Sequence, residues 1–153
     1  MPERTEQKST KTIEFSNFGR RVVEGRFDGG RMTSDGGVML LNETDRKLGL
    51  TQAAARSIPA PRSPILRTHA VRDMLRQRIY GLALGWEDLN DHGALRLDIA
   101  MQTAVGVEHE VASAPTLCRL ESWSDRKTAV DLHKVLVEQF IASQGDCPDE
   151  LVL

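Results

Sequence analysis

A single long apolar stripe between residues 66 and 84 does most to limit the folds open to this chain. Val71, Met74, Leu75, Ile79 and Leu82 recur at i, i+3, i+4, i+8 and i+11. That is the period of a helix with one face turned to a core. His69, Arg72, Arg76 and Tyr80 fall on a different face. Gly85 supplies the stop, and 57–64, with three prolines, reads as the loop before the helix.

Shorter helical signals surround this one. Thr33, Ser34 and Asp35 offer caps for a helix carrying Val38, Leu41, Asp45 and Leu48 on one side and ending at Gly49, and a further short helix fits 51–56. Residues 86–106 read as two short helices, with Asp98 capping the second and Gly106 closing it. Ser113 followed by Pro115 opens another that runs to about Trp123. Ser124 and Asp125 then cap a long helix, where Ala129, Leu132, His133, Leu136, Val137 and Phe140 form the expected apolar stripe and Gly145 ends it. Before all of these, Phe15, Phe18, Val22, Val23 and Phe27 alternate with glycines, as short strands joined by turns would, with a hairpin-type turn at Asp28, Gly29 and Gly30.

The expected class is therefore mainly α. A disordered lead-in covers 1–12, a β-rich arm 13–31 and a multi-helix domain 32–147. Residues 148–153 (PDELVL) read as the opening of a buried strand without a partner, as though the chain had been cut from something longer.

Composition closes several doors. The 153 residues are 40% hydrophobic and 27% charged, enough for an ordinary core, and no apolar run approaches a membrane span. Two cysteines are too few for a disulfide scaffold, so a reducing cytoplasm is expected. An aromatic share of 5% argues against base-stacking platforms for single strands. The net charge of −2 conceals a segregation: residues 56–80 carry six Arg against one Asp, and 81–110 carry one Arg against six acids. A positive stretch made only of Arg matters, because the planar guanidinium holds a phosphate with two hydrogen bonds.

Arg62, Arg67, Arg72 and Arg76, with Arg78 nearby, could thus track phosphates. By composition alone, the same set reads as a solvated helix face paired with Asp73. Residues 113–134 have the outline of a helix-turn-helix pair, with Thr116 and Arg119 outward and Leu117 and Leu120 inward. A plain helical hairpin is the simpler description. Glu87, Asp88, Asp91, Asp98 and His92 could form a metal or acid–base site, but Asp88 and Asp98 sit where helix caps and first-turn acids belong, and capping is the favoured reading. Cys118, Cys147 and the four histidines lack zinc-ligand spacing; Cys118 is expected to pack as a small apolar residue and His133 within an interface. No nucleotide loop or nucleophile elbow occurs, and Trp86 and Trp123 read as core anchors.

Three stretches, RMTSDGGVMLLNETDRKLGL (31–50), RDMLRQRIYGLALGWEDLNDH (72–92) and SAPTLCRLESWSDRKT (113–128), together resemble one family. They look like the N-terminal region of bacterial insertion-sequence transposases of the DDE type, specifically insertion-sequence family thirteen-eighty. The resemblance spans 13–153. It implies that a ribonuclease-H-like core with three divalent-metal-binding acids follows a strand like PDELVL, its first Asp falling just after the position of Leu153. None of those acids maps onto this sequence, so the catalytic and metal sets are empty and Mg²⁺ belongs to the missing α/β core.

The resemblance implies a chain that binds DNA and takes part in assembly, docking on the terminal inverted repeats of an insertion sequence in the bacterial cytoplasm and nucleoid. A second copy is a candidate partner, and no membrane is involved. Without the acids that grip two metals, such a chain is expected neither to nick nor to join DNA. Two other readings stand beside this one: a remnant without specific binding that acts at most as an interaction module, and a free-standing helix-turn-helix repressor.

Overall fold

The computed structural model describes residues 12–26, 34–59 and 68–144. The expected turn at Asp28, Gly29 and Gly30, most of the proline loop, and the strand 148–153 lie outside the described residues, as do Arg62 and Arg67.

A small antiparallel hairpin leads. β1 (Ile13–Glu14) pairs with β2 (Glu24–Gly25) in the register Ile13 opposite Gly25 and Glu14 opposite Glu24. The pairing continues through Phe15 N–H to Val23 O (3.1 Å) and a bridge between Phe18 and Arg21. The chain reverses at Gly19, whose φ of +54° lies in the region that favours glycine.

Seven helices follow among the described residues: α1 (Val38–Leu48), α2 (Leu50–Ser57), α3 (Val71–Ala83), α4 (His92–Leu95), α5 (Ile99–Val105), α6 (Ala114–Ser122) and α7 (Arg126–Ser143). A 3-10 turn at Leu89–Asp91 precedes α4. Their ends obey local chemistry. Asp98 Oδ1 accepts the Met101 N–H at 2.7 Å, Asp125 Oδ1 accepts the Thr128 N–H at 2.7 Å, and Asp88 Oδ1 accepts the Asn90 N–H at 2.9 Å. Each satisfies a donor that the first helical turn leaves without a partner. Gly49 (φ +67°) closes α1 by donating its N–H to Asp45 O, and α2 starts at the next residue.

Two details depart from expectation. α1 has no side-chain cap: Asp35 instead accepts the Trp86 Nε1–H at 3.1 Å, joining the start of α1 to the turn after α3. The central helix begins at Val71, with Ala70 extended, and not at 66.

α3 is the axis of the fold, touching α2, α5 and α6. One apolar cluster gathers Val38, Tyr80, Leu95, Met101, Val105 and Val111 on one side of it. A second gathers Ile58, Val71, Met74, Ala112, Leu117 and Leu120 on the other. Each fully buried Leu or Met in these clusters stabilises the fold by about 1.5–3 kcal/mol. Trp86 packs against the first cluster and Trp123 against the second, as expected of anchors.

The α3 face is rotated from the expected stripe, because polar residues take part in burial. Tyr80 (2% exposed) and Gln77 (1%) are inside, while Leu82 is 46% exposed. α7 departs further. Its protected line runs through Thr128, Asp131, Leu132, Val135 and Gln139, where it rests on α2, and the expected stripe of Leu136, Val137 and Phe140 faces outward. His133 and Cys118 are exposed as well, so neither packs as expected.

Candidate nucleic-acid interface

Of the residues that the sequence nominates for DNA contact, Arg72, Arg76, Arg78, Thr116 and Arg119 are described, and the fold uses them differently. α3 advances 100° per residue, so Arg72 and Arg76, four apart, share a face, while Arg78 turns away from it.

Arg76 reaches into the body of the protein. Its Nε donates to Asp45 Oδ2 (3.3 Å) and Thr51 Oγ1 (3.1 Å), and its Nη1 donates to Val105 O (3.3 Å). The same Asp45 carboxylate accepts the Thr51 N–H (2.8 Å), the Thr51 hydroxyl (2.5 Å) and the Tyr80 hydroxyl (3.1 Å). Asp45 is 6% exposed, so this is a charge taken out of water and satisfied from α2 and α3 at once. Burial first and the Asp45 charge second push the Tyr80 hydroxyl well above its ordinary pKa, so Tyr80 stays a neutral donor.

Arg78 ties α3 to its neighbours. Its Nε donates to Glu121 Oε1 on α6 (2.8 Å) and its Nη1 to the Glu87 carbonyl (2.9 Å). With 17% of its side chain exposed, it presents little of its charge to solvent. Arg72 remains 44% exposed and is paired only along the surface, its Nε donating to Asp73 Oδ1 at 3.1 Å.

On α6, Leu117 and Leu120 point inward, as expected. Arg119 is exposed and has no ion pair among the described residues. Thr116 is half-buried and its hydroxyl lies 3.0 Å from that of Ser113, so it serves the start of the helix.

Arg72 and Arg76 also border a groove of about 200 Å³ between the hairpin and helices α1, α3 and α5. Arg46 and Asn42 of α1 form one wall, and Ser16, Asn17 and Phe18 of the hairpin close another. No carboxylate lines it among the described residues. The hairpin is held over the groove by Ser16 N–H donating to Glu43 Oε1 (2.9 Å), and by Arg21 Nη1 donating to Thr103 Oγ1 (3.1 Å). The first of these bonds lowers the Glu43 pKa, keeping that anchor ionised. Gly106 (φ +94°) lies at the floor, where an added Cβ would sit 3.7 Å from both Arg76 Nη1 and the Phe18 ring.

Arg46 is the residue that sequence reasoning missed. It lies in a stretch, 32–55, whose charges nearly cancel, so no charge run marks it. Only the folding of α1 against α5 sets it beside the arginines of α3.

Among the described residues, no three His, Cys, Asp or Glu side chains converge as metal ligands. These residues do not fit a divalent-metal centre. Asp88 and Asp98 act as caps. No described helix is long and apolar enough to cross a membrane.

The described residues form a mainly helical body with a hairpin arm, and three arginines line one groove between them. The chain is a member of the family described as transposase DDE domain, group 1, whose sequence model matches residues 15–153. No curated protein and no solved structure matches it. Membership carries a role in transposition, and makes DNA the partner in general.

Proposed function

We propose that this chain is the DNA-binding and assembly part of an insertion-sequence transposase of family thirteen-eighty, docking on terminal inverted repeats in the bacterial cytoplasm and nucleoid. The observation that carries the reading is the division among the nominated arginines. Arg76 and Arg78 are engaged within the fold, and Arg72 and Arg119 keep guanidinium surface for a ligand. Arg72 is suited to phosphate contact, which positions a duplex without reading it. Arg119, exposed on α6, supports a second contact with DNA from that helix.

Chemistry at phosphorus needs carboxylates that converge on divalent ions, which in this family are Mg²⁺. The reading assigns this region the holding of DNA, and leaves the cutting to acids of the family's catalytic core. Homo-oligomerisation fits the same role, since two transposon ends must be brought together.

Footprinting on an inverted-repeat duplex tests the reading. Arg72→Ala is expected to weaken binding about equally on specific and random sequences. Arg119→Ala is expected to weaken it too, and loss of sequence preference would assign base readout to α6. A double variant that binds as the parent does, with an unchanged salt dependence, rules these contacts out.

A further inference from the structure

The groove between the hairpin and α1 is lined by three arginines and two asparagines, and Arg46 is an exposed cation on its wall. Arg72 and Arg76 each have a carboxylate, Asp73 and Asp45, hydrogen-bonded at Nε. Neither acid lines the groove: Asp45 is buried behind Arg76, and Asp73, beside Arg72 on α3, borders a separate hollow with His69 and Met74. Arg76 is further engaged at Nη1 by the Val105 carbonyl, so it contributes chiefly its charge, while Arg72, 44% exposed, keeps donors for a ligand. Arg46 is exposed near the end of α1 and is in no ion pair within 4 Å among the described residues, its charge being felt by Glu43 one turn earlier. Asn17 and Asn42 add side-chain amides that donate to an anion without changing its charge.

Size separates the ligands that such chemistry would admit. Sites for whole small molecules run to about 300–1,000 Å³. At about 200 Å³, this groove is too small for a complete nucleotide and large enough for a phosphate with part of its sugar. Its open side suits a group that remains attached to a polymer.

We propose that Arg46 and Arg72, with Asn17 and Asn42, form a binding site for one phosphodiester group of a DNA strand, clamped between the hairpin arm and α1, with the charge of the fold-engaged Arg76 behind it. The site rests on the DNA-binding reading and adds a contact that the sequence does not mark. The same chemistry would accept free inorganic phosphate, and the experiment separates the two sources.

The full chain and its Arg46→Gln variant are titrated against a fluorescent inverted-repeat duplex over a series of salt concentrations. Arg46 is exposed, so the variant is expected to fold, and its circular dichroism and melting confirm this. For Arg46→Gln, the log–log salt slope should fall by about one unit, the share of one lost phosphate contact. Asn42→Leu should weaken binding with the slope unchanged, since it removes a neutral donor. An Arg46→Gln chain matching the parent in both affinity and slope overturns the site, and DNA binding then stands on other residues. If the parent itself does not bind duplex, inorganic phosphate is added while the arginine Nε–H resonances are followed. Shifts in the parent that Arg46→Gln abolishes keep an anion site and remove DNA as its ligand. No shift in the parent overturns the site altogether.

Discussion

Gln77 and His92 show how much of this fold depends on single polar side chains meeting partners far along the chain. The Gln77 amide accepts the Ala112 N–H at 2.8 Å and donates to the Ala112 carbonyl at 2.9 Å, as a neighbouring strand would. This fixes its orientation, so its Nε2–H faces His92 Nδ1 at 3.3 Å and that nitrogen must accept. The His92 proton then sits on Nε2, which is buried and has no partner among the described residues. Burial foremost, then the nearby Arg78 charge, lowers the His92 pKa, while Asp91 and Glu121 oppose the shift. The unfolded chain thus binds a proton that the folded chain refuses. This part of the stability is complete above the ordinary histidine value of about 6.5 and declines as the pH falls below it. His69, whose pKa is lowered by burial and by His109 and Arg96, acts in the same direction. Urea melts at about pH 7.5 and about pH 5 should show a loss on acidification that His92→Gln reduces, leaving the His69 share. An equal loss in the variant would contradict this account. The sequence marks His92 only as a conceivable metal or acid–base residue, and its pairing with Gln77 is not visible there. Gln77 and Ala112 are 35 positions apart, as are Asp45 and Tyr80, and no local spacing encodes such pairs. The caps at Asp98 and Asp125 were readable because donor and acceptor lie three residues apart.

At the scale of elements, periodicity located the helices well and oriented them less well. α5 and α6 begin and end within a residue of their sequence signals, with Gly106 and Ser113 marking the boundaries. α7 carries two faces that could each be buried, and the apolar one is not the one used. An 18-residue helix is about 27 Å long, and the eight-residue α2 beneath it about 12 Å, so much of α7 extends past its support. Leu136, Phe140 and Ile141 are 57%, 52% and 65% exposed. Truncation of an exposed side chain costs little, and truncation in a packed core leaves a cavity. Leu136→Ala is accordingly expected to change stability by less than about 0.5 kcal/mol. Leu117→Ala, at a fully buried position, should cost about 2–5 kcal/mol. Chemical denaturation of the two variants checks the order. Equal losses would mean that the sequence stripe on α7 is buried after all. The hairpin was foreseen as short strands with turns, and its reversal falls at Gly19.

For the whole molecule, the near-neutral balance is the decisive quantity. A chain of net charge −2 and pI about 6.1 has no general attraction for a polyanion, so whatever DNA affinity it has must come from local arrangement. The sequence showed a run of arginines in 56–80 but not how folding divides them. Arg76 and Arg78 hold helices together, Arg72 stays at the groove, and Arg46 joins it from a stretch with no charge signal. The family match over 15–153 makes DNA the general partner, and the proposed site puts one contact with it in the groove. Binding should therefore be electrostatic, moderate and steeply dependent on salt. The most direct measurement is the equilibrium affinity of the unaltered chain for an inverted-repeat duplex between about 50 and about 200 mM salt. A log–log slope of about −2 is expected, matching the one phosphate held by Arg46 and Arg72 and a second at Arg119, with tighter binding to the repeat than to random duplex. Affinity that does not change with salt, or no binding at the lowest salt, would contradict the account.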